Sequence, residues 1–374
     1  VRGRHAIAGI GQTAYGKLAG RSTISLNVEA ARAAIADAGI EKDAIDALYV
    51  KTPTSDFTQL YGAKVAAALG LQPAVLGSWD QGGASTISMI AMAAMAIEAG
   101  QASVALVTVA DNPRTGSRHA YERPAGGDDA YGWIGVIGGY AMIARRHMEE
   151  FGTSSEQLAA VAVAARRHGA GNPGAQLRKP IAVADHQASP LVVDPFHRDD
   201  CCLVSDGGAA LIVTAADAAP REGAPAPIPI LGFGQGNTAW DVALRPELTA
   251  TAATVSGATA FRMAGIGPGD VDVAQLYDSF SIVPLMTLED YGFCRKGEGG
   301  DWVGGGRVER GGELPLNTSG GLLSESGIPG PQLVLEGVRQ LRGESPNPVP
   351  GASVCLVSGQ GGTMQTHATL VLGG

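Results

Sequence analysis

Between Gly82 and Ile97 the chain carries no charge, and Ala and Met fill nearly every position after Ser88. A helix apolar on all sides has no solvent face, so this pattern predicts a helix buried in the core. The wider stretch, residues 79–100, is broken by Gly, Ser and Thr and is too short to cross a bilayer comfortably. Its N-terminus opens on Gly82 and Gly83. Helix N-termini present unpaired N–H groups and a partial positive charge, which suits an anion or a developing oxyanion. Two glycines there let a ligand approach the backbone closely. The same residues read equally well as a Gly-rich turn feeding a packed helix.

Strands and helices alternate around this element. Residues 5–12 read as a strand ending in a Gly turn, 26–38 as an Ala-rich helix stopped by Gly39, and 45–50 as a strand. Residues 57–69 read as a second helix, and 104–110, beyond the buried helix, as a further strand. This alternation argues for α/β layers. The second half then repeats the first. Residues 228–235 echo 7–12, Ala264-Gly265-Ile266 with 270–277 echoes Ala38-Gly39-Ile40 with 43–49, and 353–358 echoes 103–108. Residues 207–213 and 368–372 read as closing strands. Three matches in one order predict two duplicated halves, 1–220 and 225–374, joined near a Pro/Ala-rich linker at 218–227. The first half carries an insertion of about 112–200, rich in Gly, His, Arg and Tyr, and such excursions usually carry ligand-binding loops.

At 374 residues the chain has room for a large core, and with aromatics at 5% that core is built from Ala, Val, Leu and Ile. A net charge of -9 argues against nucleic acid as the main partner. Residues 7–11 are too short for the apolar core of a signal peptide. Cys201, Cys202, Cys294 and Cys355 lack zinc-ribbon spacing and suggest no disulfide framework. These features predict a cytoplasmic protein with reduced thiols, no membrane span and no bound metal or cofactor.

Specific strings carry a family resemblance. Cys201-Cys202-Leu203-Val204-Ser205-Asp206-Gly207-Gly208, Tyr277-Asp278-Ser279-Phe280-Ser281 and Asn317-Thr318-Ser319-Gly320-Gly321-Leu322 resemble stretches of the sterol-carrier-protein thiolases. The resemblance implies a thiolase fold: two βαβαβαββ halves in an αβαβα arrangement, with a loop insertion in the first. The thiolase nucleophile, a Cys at the start of the central helix, falls on Gly83. The second thiolase Cys falls on Gly359, and the His of the Gly-His-Pro loop on Gly327. Without a thiolate there is no acyl-enzyme of the usual kind. Tyr291-Gly292-Phe293-Cys294, Lys296-Gly297-Glu298, Asp185-His186-Gln187 and the run 336–343 resemble more closely the lipid-transfer branch, which includes actinobacterial steroid side-chain aldolases. That branch implies retro-aldol cleavage of a β-hydroxyacyl-CoA, with a Tyr at the position of Tyr277 and a second Tyr where this chain has Gly327. It also implies a small partner combining a zinc ribbon and an OB fold. Residues 104–110 resemble strands that pair across the thiolase dimer, and a flat sheet edge needs covering, so at least a homodimer is expected.

Retro-aldol cleavage needs a base for the β-hydroxyl proton and a sink for charge on the thioester oxygen. Tyr277, following an apolar strand, is the candidate acid–base group; the alternative is a core tyrosine with a satisfied hydroxyl. By the resemblance, the N–H groups of Gly83 and Gly361 correspond to an oxyanion hole. Asp278, His186 and Gly327 complete the candidate site as substrate-binding positions, with a loop-holding role open for Asp278 and a packing role for His186. The first functional reading is a retro-aldolase acting on a bulky lipid or steroid-type coenzyme A thioester. The alternatives are a non-catalytic lipid-binding or scaffold subunit, and an acyltransferase that depends on a partner subunit.

Overall fold

The structure, a computed structural model, describes residues 2–119, 127–133, 135–218 and 223–374. In the first half the chain runs β1 (His5–Gln12), α1 (Thr23–Ala38), β2 (Ala47–Lys51), α2 (Tyr61–Leu69), β3 (Val75–Trp79), α3 (Ser85–Glu98) and β4 (Val104–Asp111). The insertion adds α4 (Gly135–Phe151), α5 (Ser155–Gly171), α6 (Val183–Ala188) and a small hairpin, β5 (Leu191–Val193) with β6 (Phe196–His197). Strand β7 (Gly207–Ala215) closes the half. The second half contains β8 (Ile228–Asn237), α7 (Ala253–Ala264), β9 (Val273–Gln275), α8 (Ile282–Tyr291), α9 (Gly299–Trp302), α10 (Gly321–Ser324), α11 (Pro331–Arg342), β10 (Val354–Gly361) and β11 (Thr366–Gly373).

The strand order is β3-β2-β4-β7-β1-β8-β11-β10-β9. Read outward from the centre, β1, β7, β4 and β2 are answered by β8, β11, β10 and β9. Within the sheet the halves join through three antiparallel β1–β8 pairs, His5↔Ile230 to Ile7↔Ile228. Strand alternation then builds three layers of core. Tyr49, Val107, Cys355 and Val357 point inward to a cluster that includes α3 and α11. Leu48, Val50 and Leu106 point outward under α1 and α2, and Leu356 and Val371 outward under α7. Helices α3 and α11 both touch strands of the two halves. This is the αβαβα arrangement that the resemblance implies.

The repeat persists at the level of single hydrogen bonds. The Asp46 carboxylate accepts from the backbone N–H of Ser103 at 2.8 Å and Val104 at 2.9 Å. Asp272 does the same for Ser353 at 2.8 Å and Val354 at 2.9 Å. Gly39 and Gly265 both end helices in the left-handed region, where a residue without Cβ is unstrained. The echoed glycines of the two leading strands have a packing cause. A Cβ on Gly9 would lie 2.4 Å from Ala34 O of α1, and one on Gly232 2.4 Å from Ala260 O of α7.

Two sequence expectations shift. Strand β3 is absent from the hydrophobic pattern because its residues alternate between half-buried and exposed, with Leu76 at 44% exposure. In the second half its place is held by a single bridge between Ala274 and Leu316. The strand at 104–110 was expected to carry an edge needing cover, but β4 lies between β2 and β7; the open edge belongs to β3. The linker at 218–227 falls partly on residues outside the described ones, 219–222. We propose the boundary between the halves there. Among the described residues no helix is long and apolar enough to cross a membrane, and no cluster of His, Cys, Asp and Glu could hold a metal ion.

Candidate active site

Ten residues of α3 are buried, as its uncharged sequence predicts, and only its last turns surface, at Met95. Its N-terminal turn is stapled by Ser85, whose Oγ accepts from Gln81 N at 2.8 Å and donates to Gly82 O at 2.7 Å. Strand β10 delivers Gly359, Gln360 and Gly361 to this turn. A Cβ on Gly361 would sit 2.0 Å from Gln81 O, and one on Gly359 2.6 Å from Gly83 O. The two turns therefore touch backbone to backbone. This brings Gly83 and Gly361 together, one from each half of the chain.

Tyr277 completes the group. Strand β9 ends at Gln275, and Asn317 extends it: its side-chain oxygen accepts from Leu276 N at 2.7 Å and its Nδ2 donates to Leu276 O at 2.8 Å. Ser358 Oγ accepts from Tyr277 N at 2.9 Å. The ring is thereby set against the start of α3. A Cβ on Gly83 would lie 2.2 Å from Tyr277 Cε2, 2.5 Å from Cζ and 2.5 Å from Gln360 O. Real Cβ atoms do not approach that closely. The space that a side chain at position 83 would enter is occupied by the tyrosine ring.

The other three expected positions divide. Asp278 is fully buried, and its carboxylate accepts from Leu322 N at 2.7 Å, at the start of α10. It holds the loop that returns beside Tyr277, where Gly330 passes so near Gly83 O that a Cβ on it would sit 2.7 Å away. Gly327 lies on that loop with its N–H donating to Ser205 Oγ at 3.0 Å. A Cβ there would fall 1.6 Å from Leu203 O, so this backbone leaves no room for any side chain, a tyrosine included. His186 is fully buried on α6 with Nε2 2.8 Å from Asp200 Oδ1. Asp200 in turn accepts from Ser281 Oγ at 2.5 Å, just before α8. His186 thus packs behind the Ser279–Ser281 segment, apart from the Gly83–Tyr277–Gly361 group.

Burial shapes the ionisation of this region. It pushes Cys202 up to about 12, which leaves a neutral thiol rather than a nucleophile. It raises Asp278 to about 7 and, against a hydrogen bond from Ser319, Glu325 to about 7. Ser319 Oγ donates to Glu325 Oε2 at 2.5 Å. A carboxyl whose folded pKa lies above its unfolded value gives stability that is present in acid and lost as pH rises toward 7. Glu325→Gln is therefore expected to leave melting near pH 4, below the unfolded pKa, almost unchanged and to stabilise the protein at pH 8, by roughly 1–3 kcal/mol. Thermal melts of both proteins at the two pH values test this, and equal differences at about pH 4 and pH 8 would refute it. His367, lowered to about 3 by burial, acts in the opposite sense, since its contribution is lost as pH falls below the usual imidazole range. It is common to both proteins and drops out of the comparison.

Residues absent from the sequence-based site are Ser358, Asn317 and Gly330. Only Asn317, next to the Gly320-Gly321 turn and at φ 52, carries a local signal, since asparagine tolerates that region better than most residues. The contacts of Ser358 and Gly330 join distant parts of the chain.

A duplicated α/β molecule whose two halves meet at a buried helix N-terminus defines a thiolase-type protein, here with a tyrosine ring filling the space beside Gly83. Comparison with known proteins agrees. Residues 234–374 match the family described as thiolase C-terminal domain-like. The chain is 37% identical to the 17-hydroxy-3-oxo-4-pregnene-20-carboxyl-CoA lyase of Mycobacterium tuberculosis, over 99% of each chain. It is also 37% identical to the steroid side-chain-cleaving aldolase of Thermomonospora curvata, over 99% of this chain and 98% of that one. A solved Ltp2-ChsH2(DUF35) aldolase superposes with a TM-score of 0.90 at 36% identity, covering 100% of this chain and 98% of that one. The chain belongs to the thiolase-like family, in the branch that contains these steroid side-chain aldolases. It is an enzyme of the carbon–carbon lyase kind within the thiolase superfamily.

Proposed function

We propose that the protein cleaves a β-hydroxyacyl-CoA by retro-aldol chemistry, with Tyr277 as the acid–base group and the N–H groups of Gly83 and Gly361 as the oxyanion hole. The observation that carries this reading is the Tyr277 ring in the space of the missing nucleophile. The β-hydroxyl gives up its proton, the Cα–Cβ bond breaks, and the β-carbon leaves as a carbonyl. The bonding electrons pass to the thioester as an enolate, whose oxygen the two N–H groups and the dipole of α3 stabilise. A proton returned to Cα completes the acyl-CoA product, and the phenol of Tyr277 moves protons at this centre. Asp278 holds the neighbouring loop. A bulky, apolar acyl group is the substrate class, following the relatives named for steroid carboxyl-CoA and side-chain cleavage.

The assembly we propose is a homodimer through the open edge of β3, since an uncovered edge invites pairing. A small zinc-ribbon/OB-fold subunit joins it, in line with the ChsH2(DUF35) component of the solved relative. The cytoplasmic reading rests on the four free thiols. The test is to purify the chain alone and with such a partner, size both by light scattering, and supply a synthetic β-hydroxyacyl-CoA with a branched or cyclic acyl group. Stoichiometric release of a ketone or aldehyde and a shorter acyl-CoA is expected. Intact substrate with both preparations, or a covalent acyl adduct on any cysteine, would overturn the reading.

A further inference from the structure

The turn that carries Gly361 is held from outside the sheet by two side chains that the reaction above does not use. Tyr140, on α4 of the insertion, is 2% exposed and lies tilted against Phe280 with ring centroids 4.5 Å apart. Its hydroxyl lies 2.7 Å from Gly362 O and 2.8 Å from Gln360 Nε2. A phenol has one proton to give. It goes to the carbonyl, so the oxygen lone pair receives the amide N–H. Burial raises the phenol to about 12, which keeps that proton in place. Arg245, 8% exposed, donates from its guanidinium to Thr363 O. Thr363 also contacts the insertion: a Cβ on Gly139 would meet Trp133 Cζ2 at 1.7 Å and Thr363 Cγ2 at 2.8 Å.

Three polar anchors, at Gln360, Gly362 and Thr363, thus bracket Gly361. The stretch needs anchoring because Gly362 and Met364 both take positive φ, 63° and 61°, and the latter is costly for a residue with a side chain. An oxyanion hole works only if its donors are fixed before charge develops, and Gly361 and Gly362 have no side chains of their own to fix them.

We propose that Tyr140 and Arg245 are positioning residues: together they clamp the Gln360–Thr363 turn and so aim the Gly361 N–H at the thioester oxygen. The inference rests on the retro-aldol reading for its chemistry, but the clamp itself is a statement about the turn. It gives the insertion a role in catalysis without a contact to substrate.

The experiment uses Tyr140→Phe, which keeps the ring and its packing, Arg245→Met, and the double variant, each as the full chain with its partner. Turnover of the β-hydroxyacyl-CoA and hydrogen exchange of the backbone amides in 358–366 are measured together. Each single variant is expected to lose about 10- to 100-fold in kcat with KM within about threefold, somewhat less than the roughly 10²–10³-fold for losing an oxyanion donor outright. Exchange in the turn quickens while exchange in α3 and β4 does not. The double variant falls well short of the product of the two losses, because both act on one turn. Arg245→Lys, which keeps a donor, recovers most of the rate. Unchanged exchange at the turn in Tyr140→Phe, or a rise in KM with kcat intact, would overturn the clamp. If the wild type cleaves no β-hydroxyacyl-CoA, the retro-aldol reading falls, and the exchange result alone decides whether the turn is clamped.

Discussion

Tyr277→Phe is expected to lower kcat for cleavage by roughly 10²–10⁴-fold, the range for loss of a general acid–base group. That is about 3–5 kcal/mol of barrier. The substitution keeps the ring, and with it the packing against Gly83 and Gly330. The backbone bond from Tyr277 N to Ser358 Oγ is untouched, so the main chain at the end of β9 stays in place. A tyrosine whose hydroxyl served only the fold would instead lose about 1 kcal/mol of stability and little activity. Initial rates with a β-hydroxyacyl-CoA that the wild type cleaves, measured beside thermal melts, separate the two. A variant that melts normally and turns over within a few-fold of wild type, far short of the acid–base range, ends the catalytic role. The pH profile adds an independent reading, because a rate limited by this phenol loses its dependence on that group in the phenylalanine variant.

Much of the fold was legible in the sequence because it is written in periodicity and in repetition. The uncharged run after Gly83 gave α3, and the Gly39 and Gly265 stops gave the ends of α1 and α7. Strand β3 was not legible, because an edge strand buries little and its residues alternate weakly. The site was legible only as positions. Gly83, Tyr277 and Gly361 follow one another at separations of 194 and 84 residues, and nothing local says that a ring at 277 fills the space at 83. His186 is instructive in the other direction. A histidine in an insertion reads as a ligand contact, yet its partner is Asp200, and a buried pair of that kind leaves no periodic trace. Gly327 likewise reads as a missing tyrosine until the carbonyl of Leu203 is seen pressed against it. Its absence of a side chain is a packing requirement of the loop that Asp278 holds.

Gly83→Ala is expected to destabilise the protein by more than the usual overpacking cost of about 1–3 kcal/mol and to abolish cleavage. The added Cβ meets two obstacles of different kinds. One is the Tyr277 ring at 2.2 Å, which would have to swing away from the helix N-terminus, and with it the phenol. The other is Gln360 O at 2.5 Å, which belongs to the backbone leading into the Gly361 turn and moves only if that turn moves. Either displacement dismantles the proposed site, so rate and stability fall together, in contrast to Tyr277→Phe. Gly269→Ala provides the control: that glycine has nothing within 4 Å of a built Cβ and no positive φ, so the same chemical change should be nearly silent. The same geometry predicts that Gly83→Cys does not restore a thiolase. Its sulfur would enter the ring's space, and removing the ring in a Tyr277→Ser background still leaves the Gln360 carbonyl in the way. Intact-mass spectrometry of Gly83→Cys after incubation with acetoacetyl-CoA should show no acetyl adduct at position 83. A Gly83→Ala protein that melts with the wild type and cleaves at its rate would mean that the ring and residue 83 do not compete for that space, and the site as drawn would fall with it.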